Sequence, residues 1–239
     1  MIKTILFDMD GTLLPMADTK AFEKLYFKGL AAKIAPLGYD PGKLIEGVWA
    51  GTVAMINNDG SVTNDVAFWK VFSEIFGERA YKDIPSFDEY YRTDFVMAKA
   101  ACGYNAKAVE LVKNINKCGK RVVLATNPLF PLVAQQARIG WAGLSEGDFE
   151  LITHYENSHY CKPNIRYYEE IVQKLGLNPT ECLMVGNDVN EDMIAQKLGM
   201  KVFLVTDCLL NPSNLDISVY PHGNFHDLER YLKELGVCQ

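Results

Sequence analysis

The chain is 239 residues long, enough for one large domain or two small ones, and its 49% hydrophobic and 23% charged content is ordinary for a chain that buries a core. A formal net charge of −6 and the lack of any Lys/Arg-rich run exclude a nucleic-acid binder that works by neutralising phosphates. No apolar run approaches a membrane span and no secretion signal opens the chain, so a soluble, cytoplasmic protein is expected.

In chain order, the first predicted element is a strand over Ile2, Ile5, Leu6 and Phe7, which stops abruptly at Asp8 and Asp10, with Gly11 next. Short apolar runs bounded by turn residues read as buried strands of a parallel sheet. Only helices are predicted from there to about residue 100. Asp18 or Thr19 caps one carrying Phe22, Leu25, Tyr26, Leu30 and Ile34; Asp40-Pro41 opens a second through Leu44, Val48, Trp49, Val53 and Ile56. Thr63 or Asn64 opens a third through Phe68, Trp69, Phe72 and Phe76, and Ser86 to Glu89 has the form of a capping box for a fourth. Fourteen of the 27 aromatic residues fall between Met16 and Lys99, which reads as a helical subdomain packing its own core.

From Asn105 helices alternate with strands. A helix runs from Asn105 to Cys118, and a strand over Arg121 to Ala125 ends in Thr126-Asn127-Pro128. A helix from about Pro131 leads to a strand over Phe149 to Ile152; Lys162-Pro163-Asn164 precedes a helix to Leu175. A strand over Cys182 to Val185 ends in Gly186-Asn187-Asp188, with Asp192 four residues on. A helix to Leu198, a strand over Lys201 to Val205 and a helix from about His226 to Leu235 complete the chain. This alternation implies right-handed crossovers, hence an α/β fold with a doubly wound parallel sheet. The first strand must pair with strands a hundred residues later, so the helical segment 16–99 is an insertion into a core made of residues 1–15 and 100–239.

Ligands of open α/β sheets sit beyond the carboxyl ends of the strands. Asp8 and Asp10, two apart in extended chain, can face one side, where they repel by ~1 kcal/mol at 4 Å in water and ~4 kcal/mol at an effective dielectric of 20. A bound cation removes that cost, and oxygen-only ligands point to Mg²⁺. Taken alone, D-x-D-G is also good turn chemistry. The other strand ends add a hydroxyl (Thr126), an amide (Asn127), an ammonium (Lys162) and two further carboxylates (Asp188, Asp192). Together they suit a tetrahedral phosphoryl group, whose transfer depends on positioning and charge stabilisation. Taken singly, Thr126 could be a helix cap, Lys162 a surface lysine and Asp192 a first-turn acid.

These motifs, in this order, resemble those of the haloacid dehalogenase-like (HAD) hydrolase superfamily. Asp8-Met9-Asp10-Gly11-Thr12 looks like its first motif, Thr126 its second, Lys162 its third and Gly186-Asn187-Asp188 with Asp192 its fourth. The resemblance covers the whole chain and implies a Rossmann-like core with an all-helical cap inserted after the first motif. It implies that Asp8 is a nucleophile forming an aspartyl-phosphate and that Asp10 protonates the leaving oxygen and then deprotonates water. Thr126, the Asn127 amide and Gly11 would hold the phosphoryl group, with Lys162 offsetting charge. Mg²⁺ would be bound by Asp8, the Asp10 carbonyl and Asp188, with Asp192 orienting them or binding through water. One departure is Pro128, where family members usually carry a small residue.

The reading is a Mg²⁺-dependent phosphatase acting on a small phosphorylated metabolite, a nucleotide or sugar phosphate among the options. The alternatives are a phosphomutase, a metal-independent 2-haloacid dehalogenase and a phospho-accepting signalling module. Dehalogenases of this superfamily lack the second acid, which Asp10 supplies, and receiver modules lack the helical insertion. The cap layout resembles nucleotidases and acylneuraminate-phosphate phosphatases, with Lys43, Trp49 and Asn57 as candidate contacts. The chain gives no indication of oligomeric state. His154 and His159 have no partner at ligand spacing. The six cysteines, Cys102, Cys118, Cys161, Cys182, Cys208 and Cys238, form no C-x-x-C pair and are expected to be free thiols in a reducing compartment.

Overall fold

A computed structural model of the chain describes residues 1–237. The strands β1 (Thr4–Phe7), β2 (Arg121–Leu124), β3 (Leu151–Ile152), β4 (Cys182–Gly186), β5 (Lys201–Val205) and β6 (His222–Gly223) form one sheet in the order β3-β2-β1-β4-β5-β6. Every pairing is parallel. All four β1 residues are buried because both faces of the sheet are covered, which is why the strand reads as an unbroken apolar run rather than an alternation. The alternation instead decides which face each residue serves. Ile5, Phe7, Val122, Leu124, Leu183 and Val185 join one apolar cluster, while Leu6, Val123, Met184, Val202 and Leu204 join the other.

Between β1 and β2 come α1 (Thr19–Ile34), α2 (Pro41–Ile56), α3 (Asn64–Phe76), α4 (Arg79–Thr93) and a 3₁₀ stretch over Asp94–Ala101. Asp18 and Asp40 cap the first two through the amides of Ala21 and Lys43. The buried rings of this insertion, Tyr26, Phe68, Trp69, Phe72, Tyr90 and Phe95 among them, belong to the same cluster as Ile5 and Phe7. The insertion is also stitched to the sheet's loops by polar bonds. Asn64, fully buried at the start of α3, donates its backbone N–H to Ser158 O at 2.8 Å, and its side chain donates to Pro128 O (3.4 Å) and Cys161 Sγ (3.3 Å).

The remaining helices are α5 (Ala106–Lys117), α6 (Leu132–Trp141), α7 (Ile165–Leu175) and α8 (Phe225–Glu234). α5, α6 and α8 pack with the first cluster and α7 with the second. No helix among the described residues is long and apolar enough to cross a membrane.

Four expectations are corrected. The fourth helix begins at Arg79, not at Ser86, and carries Pro85 inside it; Ala80, Phe87 and Tyr90 form one buried stripe across the proline, so packing outweighs the lost backbone bond. The segment Met193–Leu198 is 3₁₀ rather than α, and β6, too short to show a period, adds an edge strand. Cys118 is disulfide-bonded, against the expectation of free thiols; Cys102, Cys161, Cys182 and Cys208 are free, and Cys238 lies outside the described residues.

Candidate active site

The register of the sheet brings the sequence motifs together. Phe7 pairs with Leu124 on one side and Val185 on the other, so the chain leaves all three strands at one level. Asp8 N–H still donates to Val185 O at 2.9 Å, and Ala125 N–H donates to Phe7 O at 2.7 Å, which places Asp8, Thr126 and Asp188 side by side at the carboxyl edge. β1 and β4 are the neighbours at which the connections turn from one half of the sheet to the other, the crevice in which such sheets bind ligands.

Lys162 sits at the centre. The residue is 1% exposed, and its ammonium donates to Asp8 Oδ1 at 2.8 Å and Asp192 Oδ1 at 2.6 Å. Burial would lower its pKa, but Asp192 and Asp8 hold it well above the ordinary lysine value, so it stays a cation. Burial pushes the Asp8 carboxyl up to about 7 against the pull of Lys162, and Asp192 and Asp10 add to the rise. The second oxygen of Asp192 accepts the Asp188 N–H at 3.0 Å and lies so close over Gly186 that a Cβ there would collide with it. Asp192 is thus turned toward Lys162 and the Asp188 backbone.

Asp188 Oδ1 accepts the N–H groups of Asn190 (2.7 Å) and Glu191 (2.9 Å), a local turn that fixes the carboxylate. Its pKa is raised by burial, with those two bonds opposing. Thr126 is buried, and its carbonyl is held by the hydroxyls of Thr153 (2.7 Å) and Tyr167 (2.9 Å). Asn127 braces two motifs: its Oδ1 accepts the Lys162 N–H at 3.2 Å, and its Nδ2 donates to Glu191 at 3.1 Å. Gly11 adopts φ +85°, and a Cβ would run into the Asn187 side chain, so only glycine fits. Its N–H donates to Leu14 O, and the neighbouring Thr12 hydroxyl donates to Asn187 Oδ1 at 2.8 Å, joining the first and fourth motifs.

Two residues escaped the sequence reading. Arg138 of α6, 1% exposed, pairs with Asp10 Oδ2, donates to Gln135 Oε1 at 2.5 Å and lies 4.6 Å from the Phe130 ring centre. Asp10 Oδ1, Arg138 Nε and Gln135 Nε2 are buried without a protein partner, so this cluster is polar yet incompletely satisfied. Its signal was available: Gln135 and Arg138 occupy the stripe that α6 buries, beside Ala134 and Ile139. Glu191 is the other. Burial raises its pKa to about 8, opposed by Lys162 and helped by Asp192 and Asp188. Of the remaining candidates, His154 and His159 pair with Glu156 (2.6 Å) and Glu170 (2.7 Å). Burial pushes the Cys161 thiol up to about 12, away from thiolate chemistry.

The donor set suits a hard divalent cation. Asp8, Asp188, Glu191 and Asp192 share a single ammonium, and burial raises three of the four, the signature of a site short of positive charge. No three acidic, His or Cys side chains among the described residues stand close enough to form a cage by themselves. Backbone oxygen and water would therefore complete the coordination, as is usual for Mg²⁺.

A doubly wound parallel sheet, with an acid–lysine–acid array at its switch point and a helical insertion directly after the first acid, is the frame of an α/β enzyme with a carboxylate at its centre. The chain matches the model of the haloacid dehalogenase-like hydrolase family over residues 2–199 and belongs to that family. It is 26% identical over 228 residues, 92% of its length and 95% of the relative's, to the glyceraldehyde 3-phosphate phosphatase of Methanothermobacter thermautotrophicus. Among solved structures it superposes on a HAD phosphatase from Thermococcus onnurineus with a TM-score of 0.60 at 16% identity, covering 97% and 98% of the two chains. It also superposes on the magnesium-bound HAD-hydrolase YfnB of Bacillus subtilis, with a TM-score of 0.53 at 19% identity over 97% and 98%.

Proposed function

We propose that the chain is a Mg²⁺-dependent phosphatase that hydrolyses a small phosphomonoester through an aspartyl-phosphate on Asp8. The observation that carries the reading is the buried Asp8–Lys162–Asp192 array, level with Thr126 and Asp188 at the end of β1. Residues 16–99 act as a cap over a core of residues 1–15 and 100–239. The phosphatase among its relatives, matched over nearly its full length, supports the substrate class.

Asp8 Oδ1 is engaged by Lys162, leaving Oδ2 as the attacking atom. Its bond to phosphorus forms as the phosphorus–oxygen bond to the alcohol breaks, and Asp10 delivers a proton to the departing oxygen. Asp10 then takes a proton from the water that attacks phosphorus; the acyl-phosphate bond breaks and Asp8 returns as a carboxylate. Lys162 and Thr126 hold the phosphoryl oxygens through both steps, with Asn127 and Gly11 shaping the loops beneath them. Asp8, Asp188 and the Asp10 carbonyl would hold Mg²⁺, and Asp192 orients Lys162 and the Asp188 backbone. When bound, the ion supplies positive charge that offsets the phosphoryl oxygens and the crowded carboxylates.

The experiment is intact-protein mass spectrometry after brief mixing with an aryl phosphate. Asp10→Asn is expected to gain the mass of one phosphoryl group, mapping to the peptide that contains Asp8, because an activated leaving group needs no proton while hydrolysis does. Label on a histidine, serine or cysteine, or normal turnover by Asp8→Asn, would refute the mechanism.

A further inference from the structure

A cavity of about 240 Å³ opens between the helical insertion and the loop that follows β2. Asp10 stands in its wall, so it continues from the position of the leaving oxygen. Its composition departs from what a sugar or a second phosphate requires. Ten of its eighteen lining residues are aromatic, Phe68, Trp69, Tyr91 and Phe130 among them, and several of the rest are aliphatic. No Lys, Arg or His is among them; the only charges are the acids Asp10 and Glu23. Of its five hydroxyls, those of Tyr26, Tyr91, Thr52 and Tyr155 are already engaged, the last with Trp69, and Thr19 is exposed. Tyr26 and Tyr91 bond each other at 2.9 Å, and Thr52 donates to Val48 O at 2.9 Å.

We infer that the phosphomonoester taken by this site carries an apolar alcohol, an aromatic ring or a branched or linear alkyl chain, with no second anionic group. This rests on the phosphatase reading above and names its substrate class. A carboxylate or second phosphate entering the cavity would lose its hydration with no cation to replace it and with two acids in the wall. A polyol would leave hydroxyls unpaired against rings. An apolar group loses nothing and gains the transfer out of water. The volume is right for such a group, since about 150 Å³ of apolar cavity already holds benzene. The cavity therefore accommodates a ring bearing a short side chain.

The test holds leaving-group chemistry constant. kcat/KM of the full chain with Mg²⁺ is measured for ethyl, butyl, hexyl and 2-phenylethyl phosphate, and for glyceraldehyde 3-phosphate, glucose 6-phosphate, a nucleoside monophosphate and a sugar bisphosphate. KM is expected to fall about fourfold per added methylene, the factor equal to about 0.8 kcal/mol, until the cavity is full. Val48→Phe, which takes up cavity volume, shortens the chain length at which the gain stops. Thr52→Lys, which introduces a cation at a half-buried wall position, shifts the ranking toward the bisphosphate. Thermal shift with the free alcohols reads the cavity without turnover, and the rise in Tm is expected to grow along the same series. A KM flat with chain length, or a higher kcat/KM for any of the sugar, nucleoside or glyceraldehyde esters than for hexyl and 2-phenylethyl phosphate, would overturn the inference while leaving the phosphatase reading intact. If no ester at all is hydrolysed, an aryl phosphate included, the phosphatase reading fails. The alcohol series then decides the cavity alone, flat Tm values overturning its apolar assignment.

Discussion

The carboxyl edge of the sheet and the roof above it are built on opposite principles. At the edge charged groups are held by polar partners: Lys162 holds Asp8 and Asp192, Asp188 is pinned by two amides, and Asn127 ties the second, third and fourth motifs. Charge-assisted bonds are directional, so an error of an ångström there breaks chemistry. In the roof the contacts are rings meeting rings, Phe68 against Trp69 at 5.1 Å and Trp69 against Phe87 at 5.2 Å between centres, and such packing tolerates exchange if volume is kept. The difference is between bonds that allow one geometry and a surface that can be repacked.

The comparison is broken hardest at Asp8. Asp8→Asn is expected to take phosphatase turnover to background with the roof intact, as measured by steady-state assay beside thermal unfolding. Chelation should follow closely, since removing Mg²⁺ restores the uncompensated carboxylates; activity is expected to vanish with chelator and return on adding the ion. Full turnover in metal-free buffer would revive the dehalogenase alternative.

A smaller effect separates the two ends of the ion-pair array. Lys162→Met leaves Asp8 and Asp192 buried without their cation and should cost ~3–5 kcal/mol of stability along with activity. Asp192→Asn keeps the Lys162–Asp8 pair and should cost less on both counts, a ranking that chemical denaturation can check. Arg138 tests the border between the regions, because it touches both Asp10 and Phe130. Arg138→Met is expected to lower kcat on alkyl phosphates by ~10-fold or more while sparing activated aryl esters, since only the former need Asp10 aimed at the leaving oxygen. Equal losses on both would assign Arg138 to packing alone. The smallest effect belongs to the outer face of α2: Val53→Asp, at a half-exposed position, should shift stability by no more than ~0.5 kcal/mol and leave turnover unchanged.

Legibility in the sequence followed the range of the forces involved. Five of the six strands and most helices were readable, because burial of both sheet faces writes apolar runs and buried helix faces write a 3.6-residue period. Ser86 to Glu89 has the form of a capping box and so of a helix start, whereas the buried stripe of α4 begins earlier, at Ala80, and runs through Pro85. The aromatic-rich insertion was read as a subdomain with its own core. Its buried rings also join the cluster that holds Ile5 and Phe7, and several line a cavity, distinctions that ring content alone does not carry.

By itself the sequence determined the alternation of strands and helices, the insertion after the first strand and the placing of acids, Thr126 and Lys162 at strand ends, since each depends on residues near one another in the chain. Tertiary structure alone decided that Lys162 is buried between two acids, that Asp10 faces an arginine 128 positions away, that Glu191 meets Asn127, and that the space above the acids is apolar. The physical reason is common to all four: burial and charge pairing arise between segments brought together only when the sheet closes. A lysine, an arginine or a phenylalanine reads the same in the chain whether it faces water, a carboxylate or a cavity.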